Sequence, residues 1–592
     1  MLWRPTDSDI AQFRDERLIA PKIVPALEVG GVNLLSLSVG MGKSYLADHL
    51  LASQMVRDSF DRIIYACAQK AILNERPRQL RGQSSTKVLT ARPRSRCRSA
   101  GLDDEWLALE RRGCSGIAKK ELCSWCSNAE VCEWPSQFHD LDNHSLIMGV
   151  QSYFRCVPHV LSGWLRTAKS PLIILDEDLL LTAPFKHRIT RQDMEIHRRV
   201  IRSVIEGIWK KGGRRALESH LNATDALLDS KIKPNRIAAP AMLWGEASTL
   251  VQSEGLRNFA RNYHFIGMSL FIALRSRCYR LADGTIEYIW KPWFGGSTIM
   301  LLSAELDPLI VRHRLGQKTK AIFPPHYTQH AETEVFNIQD QRMSARYIAT
   351  HLPHASFAIA QLIQRRLTDN KRTMIVTRKK FVNKVALHLN AAFGTLGAPA
   401  LKAIHHLTYT GSANEIPIIS YGIQGTNKYQ EFETCICIGA YNINPIALES
   451  LVNDVHEPSE KVETRIEYVG GIRRGRSVGD GRSGQMDNLV DRYLGQAEFN
   501  TANQAVGRSR HCTKPRLVIF CQQTTIPYEL SVPAFRTLRG FRQHFGLETA
   551  REFKTRKNAE EVMRARELGL TQKQAATRTG LSLRTVKRRW HG

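Results

Sequence analysis

One stretch, SLSVGMGKSYLADHLL at residues 36–51, limits what this chain can fold into more than any other. The apolar run at 32–37 predicts a buried strand, and Gly40 and Gly42 interrupt the chain soon after it. A Lys-Ser pair then opens a segment whose leucines recur at helical spacing. The pattern predicts a strand, a tight glycine loop and a helix in direct succession.

The loop between this strand and this helix has the composition of a phosphate-binding turn. Glycines let backbone N–H groups point at phosphate oxygens, and the helix N-terminus adds a partial positive charge. We expect Lys43 to hold the β- and γ-phosphates of ATP and Ser44 to ligate Mg²⁺. Leu37 stands where the strict G-x-x-x-x-G-K-[ST] pattern has its first glycine, and a surface Gly-Lys-Ser turn is the plain alternative. The predicted nucleotide-binding residues are Ser38, Gly40, Met41, Gly42, Lys43 and Ser44.

An acidic pair follows a later apolar strand. A strand pattern at 61–66 followed by helix-like residues predicts a parallel sheet with helices on its faces. Four apolar residues at 172–175 then run straight into Asp176 and Glu177. Because ligands of open α/β sheets bind at the carboxyl ends of strands, we expect Asp176 to hold Mg²⁺ through water and Glu177 to deprotonate the attacking water. An acidic loop after an ordinary strand is the alternative.

Five of the twelve cysteines crowd into positions 97–132, which predicts a metal site in a reducing compartment rather than disulfides. Two thiolates at C-x-x-C spacing can hold one metal from a tight turn. Either Zn²⁺ or a [4Fe-4S] cluster takes four thiolates, so spacing does not separate them, and buried cysteines without a metal are the alternative. The predicted ligands are Cys114, Cys123, Cys126 and Cys132, with Cys97 as the substitute for Cys114.

Charge indicates the class of partner. The chain of 592 residues carries a formal net charge of +28 and a sequence pI near 9.8, which favours a polyanion such as DNA or RNA, with solvated basic faces as the alternative. No apolar run approaches the length of a membrane span, and the N-terminus lacks a signal-peptide layout. We expect a soluble protein of the bacterial cytoplasm or nucleoid, with no membrane partner.

The middle of the chain divides into an insertion and a second α/β unit. The segment 185–290 predicts a helical insertion, and a strand then ends in Ser303, Ala304 and Glu305. From about residue 321 strand and helix patterns alternate again. The glycine- and arginine-rich stretch at 468–485 predicts a mobile loop.

A second cationic pattern lies near residue 504. We expect Gln504, Arg508 and Arg510 to lie on one helix that begins near Thr501 and leads to a strand. Arginines that reach the γ-phosphate would stabilise transition-state charge, and a basic helix face is the alternative.

The last segment, 559–592, predicts a helix-turn-helix. Ala576, Gly580 and Val586 take the small, turn and apolar positions of that motif. The side chains expected to contact duplex DNA are Arg584, Thr585, Lys587 and Arg588. A basic amphipathic tail that docks elsewhere is the alternative.

In this order the motifs resemble those of superfamily 2 helicases: LSVGMGKS at 37–44, LDED at 175–178, LSAE at 302–305 and QAVGRSRH at 504–511. The cysteine cluster and the long insertion are placed as in the XPD/DinG branch. That resemblance implies a 5′ to 3′ single-strand DNA translocase with an iron-sulfur cluster beside the DNA path. His511 stands where the family pattern has its last arginine, with Arg510 one residue earlier, so which arginine is the finger stays open. A C-terminal helix-turn-helix is unusual there and suggests a plasmid, phage or other mobile-element protein.

These observations predict an α/β protein with two RecA-like P-loop NTPase lobes, a cysteine-rich metal-binding insertion, a helical insertion and a small all-α helix-turn-helix. We expect lobe 1 at 1–310, with insertions at 95–140 and 185–290, and lobe 2 at 311–525. A linker at 526–558 would lead to the DNA-binding domain at 559–592. The expected function is an ATP-dependent DNA helicase or translocase of a replication or defence system. The alternatives are a sequence-specific initiator or regulator that uses ATP as a conformational switch, and RNA as the track.

Overall fold

The computed structural model describes most, but not all, of the chain. The described residues are 2–38, 40–67, 73–74, 76, 80, 85–90, 92–104, 106–107, 122–123, 126–151, 158–177, 185–207, 218, 221–222, 224–226, 228–229, 277–289, 294, 296–303, 306–322, 327–338, 348–421, 428–439, 441–469, 472–478, 483–521, 534–535 and 537–590. Val39, Cys114, Asp178, Ala304 and Glu305 lie outside them. The chain divides into two compact units. The first comprises 1–328, 443–467 and 474–496, and the second 329–442, 468–473 and 497–592.

A seven-stranded parallel sheet forms the centre of the first unit, in the order β11-β2-β10-β6-β3-β5-β4. Its five inner strands are buried along almost their whole length, as expected where both faces of a parallel sheet are covered, whereas the edge strands β4 and β11 are short and partly exposed. They are β2 (Val32–Ser36), β3 (Arg62–Cys67), β4 (Thr86–Val88), β5 (Leu146–Val150), β6 (Pro171–Asp176), β10 (Thr298–Ser303) and β11 (Thr319–Ala321).

Nine helices described in the 1–328 part flank this sheet or extend from it. They are α1 (Asp7–Phe13), α2 (Glu16–Glu28), α3 (Lys43–Ala52), α4 (Gln54–Ser59), α5 (Arg94–Ser99), α6 (Glu133–Ser136), α7 (Pro158–Arg166), α8 (Arg191–Gly207) and α9 (Pro308–Leu315). Two short strands, β1 (Leu2–Trp3) and β12 (Tyr327–Thr328), pair in parallel.

The insertion at 185–290 is not purely helical. It begins and ends in a three-stranded antiparallel sheet of β7 (Lys186–Ile189), β8 (Arg277–Arg280) and β9 (Ile286–Ile289), in the order β7-β9-β8. The prediction of helix over 277–280 was therefore wrong. The missed signal is the Asp283-Gly284 pair between β8 and β9, because a glycine at φ +78° allows the tight turn of a hairpin.

The described residues of the stretch at 468–485 form strands and the start of a helix where a mobile loop was expected. Strands β18 (Glu463–Val469) and β19 (Ile472–Val478) pair with each other, and helix α13 (Ser483–Gly495) follows them. Gly475 is needed because a Cβ there would lie 2.7 Å from the Val490 carbonyl oxygen of α13. The close backbone packing of β19 against α13, which composition does not reveal, therefore explains the glycine at position 475.

Two helices beyond residue 443 belong to the first unit, whereas the sequence placed lobe 2 at 311–525. They are α12 (Pro445–Val452) and α13 (Ser483–Gly495). Their side chains Val452, Val490 and Leu494 share a small core with Ile310 of α9. The domain boundary thus depends on which surface buries these apolar residues.

A second seven-stranded parallel sheet, ordered β15-β16-β14-β17-β20-β13-β21, forms the centre of the second unit. Its strands are β13 (Glu334–Ile338), β14 (Thr373–Thr377), β15 (Lys402–His405), β16 (Glu415–Ser420), β17 (Thr434–Ile438), β20 (Leu517–Cys521) and β21 (Ala534–Phe535). Its helices are α10 (Ile348–Thr368), α11 (Val382–Thr395), α14 (Thr501–Val506), α15 (Leu538–His544), α16 (Ala550–Glu567), α17 (Gln572–Thr579) and α18 (Leu583–Arg589).

The described end of the chain is helical, and the described residues of the predicted 526–558 linker do not form a simple connection. Leu538, Phe541 and Leu547 are buried in the core of the second unit. Helix α16 begins at Ala550 and continues into the last three-helix group. We call residues 562–590 the C-terminal head.

The C-terminal head has its own small core of Val562, Ala565, Ala575 and Val586. Gly580 joins α17 to α18 with a left-handed φ of +65°, as the turn prediction requires. The predicted small position is shifted by one residue, because Ala575 is fully buried while Ala576 lies at the edge of the core. The N-cap at Thr571 sets the residue at which α17 begins, and this determines that Ala575 rather than Ala576 faces the core.

Candidate functional site

The predicted phosphate loop connects β2 to α3. Gly40 and Gly42 take φ values of +98° and +96°, a region that glycine enters at little cost and other residues rarely enter. Gly42 is the N-cap of α3 and supplies no side-chain acceptor to the first turn. The N-terminal N–H groups of a ten-residue helix therefore follow a glycine turn, which is the arrangement that binds phosphate.

Neighbouring elements hold this loop in place. The Leu37 N–H donates to the Ser303 carbonyl of β10 at 2.8 Å, and the Thr328 N–H donates to Ser38 Oγ at 3.0 Å. The Met41 N–H donates to the Ser38 carbonyl at 3.1 Å, and both side chains are buried. Ser38 and Met41 thus shape the loop, and a direct contact of either with phosphate stays a prediction. The guanidinium of Arg14, the residue directly after α1, donates to the Gly40 carbonyl at 3.0 Å.

The two predicted magnesium ligands lie together. Ser44 Oγ donates to Asp176 Oδ2 at 3.3 Å, although β10 lies between β2 and β6 in the sheet. Lys43 is the first residue of α3, directly before Ser44, and its Nζ donates to the Leu37 carbonyl at 3.2 Å. A hydroxyl beside a carboxylate is a hard-oxygen donor pair of the kind that Mg²⁺ prefers. These residues therefore fit a magnesium nucleotide.

Residues that sequence reasoning missed surround this pair. The Tyr65 hydroxyl on β3 donates to Asp176 Oδ2 at 2.6 Å, and burial raises the pKa of Tyr65 well above its usual value. The phenol therefore stays protonated and acts as a donor. Tyr65 lies two residues before Cys67, the last residue of β3. Cys67 is the register partner of Asp176 on β6. Only the strand order could have revealed this contact.

A buried arginine, Arg76, contacts α3, the helix that follows the glycine loop. The Arg76 guanidinium donates to the Ser44 carbonyl at 2.7 Å and to both carboxylate oxygens of Asp48 at 3.1 Å. Burial raises the pKa of Asp48 to about 6, and the Arg76 charge opposes that rise. Asp48 follows Ser44 by four residues on α3, a spacing that places both on one helix face.

Glu177 has an unusual backbone conformation. Its φ is +72°, which is uncommon for a residue with a Cβ. Its N–H donates to the Leu302 carbonyl at 2.8 Å, and its carbonyl accepts from Gln151 Nε2 at 2.8 Å. Gln151 is buried and also donates to the Asp176 carbonyl at 2.9 Å. A side chain from the end of β5 thus secures the backbone of both predicted catalytic carboxylates.

In the second unit, the helix expected to carry Gln504, Arg508 and Arg510 ends earlier than predicted. Helix α14 stops at Val506, so it carries Gln504 alone. Arg508 lies in a 3₁₀ turn, Gly507–Ser509, and Arg510 caps that turn with a φ of +63°. The Ser509 hydroxyl bonds to the Val506 carbonyl at 2.8 Å, which tightens the chain at the end of the helix.

His511 is not a cationic candidate. Its side chain is buried, and burial lowers the pKa of His511 to about 4, so the imidazole is neutral near pH 7. Of the QAVGRSRH motif, Arg508 and Arg510 therefore keep the predicted finger role. Which of the two performs it stays a prediction.

The cysteine segment is described only in part. Cys97 is buried in the first unit's core, against which Cys123, Cys126 and Cys132 pack, while Cys114 lies outside the described residues. Within the described part, no three His, Cys, Asp or Glu side chains come together as a metal site. The substitute set with Cys97 thus gains no support, and the set with Cys114 stays a prediction.

On the C-terminal head, three of the four predicted DNA contacts are exposed. These are Arg584, Lys587 and Arg588 of α18. Thr585 is half-buried, and its N–H donates to the N-cap Ser582 Oγ at 3.3 Å. Thr585 therefore helps to start the helix. In the chain as described, no helix is both long enough and apolar enough to span a bilayer.

Comparison with known proteins does not assign this chain to a family. No family model matches the sequence, and no curated protein matches it. A crystal structure of T. fusca Cas3 with ATP shares 11% identity, with a TM-score of 0.34, over 95% of this chain and 52% of that one. A second, with AMPPNP, shares 10% identity, with a TM-score of 0.32, over 96% of this chain and 52% of that one. The chain thus spans about half the length of these structures, and TM-scores below 0.5 assign it no function.

Proposed function

We propose that this protein is an ATP-dependent DNA helicase or translocase of the superfamily 2 type, with RecA-like lobes as its two units. One observation carries the proposal. Ser44 Oγ of the glycine loop lies 3.3 Å from Asp176 Oδ2, so two motifs far apart in sequence meet at one helix N-terminus. That is the constellation that binds a magnesium nucleotide.

The residues have separate roles in this proposal. Lys43 and the first-turn N–H groups of α3 bind the β- and γ-phosphates, while Ser44 and Asp176 hold Mg²⁺. The ion, when bound, offsets the charge of the transferred phosphoryl group. Glu177 orients the attacking water and accepts its proton. Gln504, Arg508 and Arg510 are the proposed contacts to the γ-phosphate.

DNA is the proposed partner of the chain. The net charge of +28 favours binding through phosphates, so affinity should fall steeply with salt. The C-terminal head is the proposed duplex-binding part, through Arg584, Lys587 and Arg588. A role in a bacterial plasmid, phage or defence system, with other replication or defence proteins as partners, belongs to the same proposal.

The test compares Lys43→Ala with Lys22→Ala, a matched loss of one exposed lysine from α2 in the same unit. We expect Lys43→Ala to lower ATP hydrolysis about 100-fold or more, because the lost ammonium stabilises transition-state charge. Lys22→Ala should hydrolyse ATP at the wild-type rate. Equal hydrolysis by both variants would refute the proposal. Comparing stimulation by single-stranded DNA and by RNA identifies the track.

The C-terminal head favours a second candidate function. A site-specific initiator or regulator would use the head to find DNA and ATP only as a conformational switch. Strand displacement that is lost in Lys43→Ala supports the motor. ATP hydrolysis without any strand displacement supports the switch.

The metal cluster is a separate part of the proposal. Purification without oxygen, followed by an absorption spectrum and metal analysis, distinguishes [4Fe-4S] from Zn²⁺ on Cys114, Cys123, Cys126 and Cys132. Broad absorption near ~400 nm is expected for iron-sulfur, and one colourless zinc per chain for zinc. Neither metal in the purified protein would contradict this part alone.

A further inference from the structure

The C-terminal head is attached to the second unit by a packed and continuous helix. Helix α16 (Ala550–Glu567) has 18 residues and contains neither glycine nor proline. Its first turn packs on the unit, because Phe553 contacts Phe357 of α10 edge-on at 5.7 Å between ring centroids. Its last turns carry Val562 and Ala565, which belong to the core of the head. One helix is therefore shared by the head and the rest of the second unit.

The segment before α16 is bound to α10 by paired contacts. Gln361 Nε2 donates to the Glu548 carbonyl at 2.8 Å, and the Glu548 N–H donates back to Gln361 Oε1 at 3.1 Å. The two terminal nitrogens of Arg365 donate to the Phe545 and Gly546 carbonyls at 2.6 and 2.7 Å. Such two-pronged bonds fix orientation as well as distance. The start of α16 therefore has one direction relative to α10.

Local bonds also stiffen the start of α16. Thr549 and Glu552 form a capping box, with N···O distances of 2.7 and 3.0 Å. Arg556 forms two bonds to Glu548, at 2.8 and 3.0 Å, across the first turns. At the other end, the Arg566 guanidinium donates to the Trp590 carbonyl after α18 at 3.1 Å. Both ends of the connection are thus secured.

The surface of the head fits a polyanion. Residues 568–592 include six lysines and arginines and no aspartate or glutamate. Arg584, Lys587 and Arg588 are exposed on α18, and Lys573 and Arg578 are exposed on α17. With no carboxylate among these residues to repel phosphates, this surface favours the backbone of duplex DNA.

We propose that the C-terminal head binds duplex DNA through α18 and is mounted rigidly on the second unit by α16, so that bound duplex turns only with that unit. The inference rests on the proposed DNA-binding function of the head but not on ATP hydrolysis. It gives α16 a mechanical role: duplex DNA is held in one fixed orientation relative to the second unit.

The test uses the full-length protein and two insertions after Asn558, between Phe553 and Val562. Seven alanines lengthen α16 by about 10 Å and keep it helical, whereas a seven-residue Gly-Ser insertion of equal length makes it flexible. The probe is a fluorescein-labelled duplex of about 30 base pairs at low salt, where phosphate contacts dominate binding. Time-resolved anisotropy of the bound duplex reports how freely it turns.

We expect all three proteins to bind the duplex with the same affinity within about twofold. Duplex bound to the wild type and to the alanine variant should tumble with the second unit. Duplex bound to the Gly-Ser variant should show an added faster component. The same fast component in the wild type would overturn the rigid mounting.

Charge reversal tests the binding surface. Lys587→Glu with Arg588→Glu should weaken duplex binding at least tenfold, while Arg551→Glu with Lys554→Glu, a matched pair on exposed positions of α16, should change it less than threefold. Equal effects of the two pairs would overturn the assignment of the surface to α18. Both outcomes are independent of the Lys43→Ala result, so this proposal and the motor proposal can fail separately.

Discussion

The hydroxyl of Tyr65 donates a 2.6 Å hydrogen bond to Oδ2 of Asp176, the same oxygen that Ser44 Oγ approaches to 3.3 Å. One carboxylate oxygen is thereby directed by a buried phenol from the adjacent strand. The orientation of the proposed magnesium ligand thus depends on a residue outside both sequence motifs.

Replacement of Tyr65 by phenylalanine should raise the Mg²⁺ requirement. The variant keeps the ring and loses one hydrogen bond to a charged group, worth about 1.5 kcal/mol, so the Mg²⁺ concentration for half-maximal ATP hydrolysis should rise about tenfold. Binding of a fluorescent ADP analogue should weaken in Mg²⁺ and stay unchanged in EDTA. Tyr45→Phe, on the exposed side of α3, is the control. An unchanged Mg²⁺ titration would show that Tyr65 does not position Asp176.

Removal of the Arg76 guanidinium should destabilise the first unit. Arg76→Met leaves the Asp48 carboxylate without its guanidinium partner, at a cost of about 3 kcal/mol in the free energy of unfolding. The double variant Arg76→Met, Asp48→Leu should recover most of that loss, because no charge remains buried. Urea unfolding measures all three proteins, with Arg312→Met at an exposed position of α9 as the control. A double variant no more stable than Arg76→Met would contradict this account.

The second unit should lose stability in mild acid through His511. Its folded pKa of about 4 lies below the unfolded value of 6.5, so the unfolded chain binds more protons between these values. Stability is fully present above about pH 6.5 and falls by about 2 kcal/mol from pH 7 to pH 5. His511→Asn should flatten this slope in thermal unfolding scans, whatever its stability at pH 7. His354→Asn, at an exposed position, should leave the slope as it is.

Two glycine substitutions in the first unit should act in opposite directions. In Gly475→Ala, the new Cβ would lie 2.7 Å from the Val490 carbonyl oxygen, and we expect a loss of about 2 kcal/mol. In Gly163→Ala, inside α7, no heavy atom lies within 4 Å of the added Cβ, and a gain of about 0.5–1 kcal/mol is expected. Denaturant midpoints measure both. A neutral Gly475→Ala would mean that β19 and α13 separate easily.

Sequence reasoning anticipated the elements that depend on neighbouring residues. The apolar runs of β2, β6 and β10 lie where the chain predicts strands, and Gly40, Gly42 and Gly580 take the positive φ values that their turns need. It failed at β8, where helix is predicted although the Asp283-Gly284 pair that follows signals a hairpin turn. It also misplaced the unit boundary, since α12 and α13 bury their apolar faces against α9.

By itself, the sequence determined the glycine loop, the acidic strand end and the basic C-terminal head, because each is a local pattern whose spacing the backbone preserves. Only the tertiary structure decided that Tyr65, Gln151 and Arg76 contact the residues around Ser44 and Asp176, and that α16 connects the head to α10. These contacts arise from strand order and helix packing, which bring together side chains tens of residues apart. No local pattern of hydrophobicity predicts such contacts, since they depend on how several elements bury their apolar faces together.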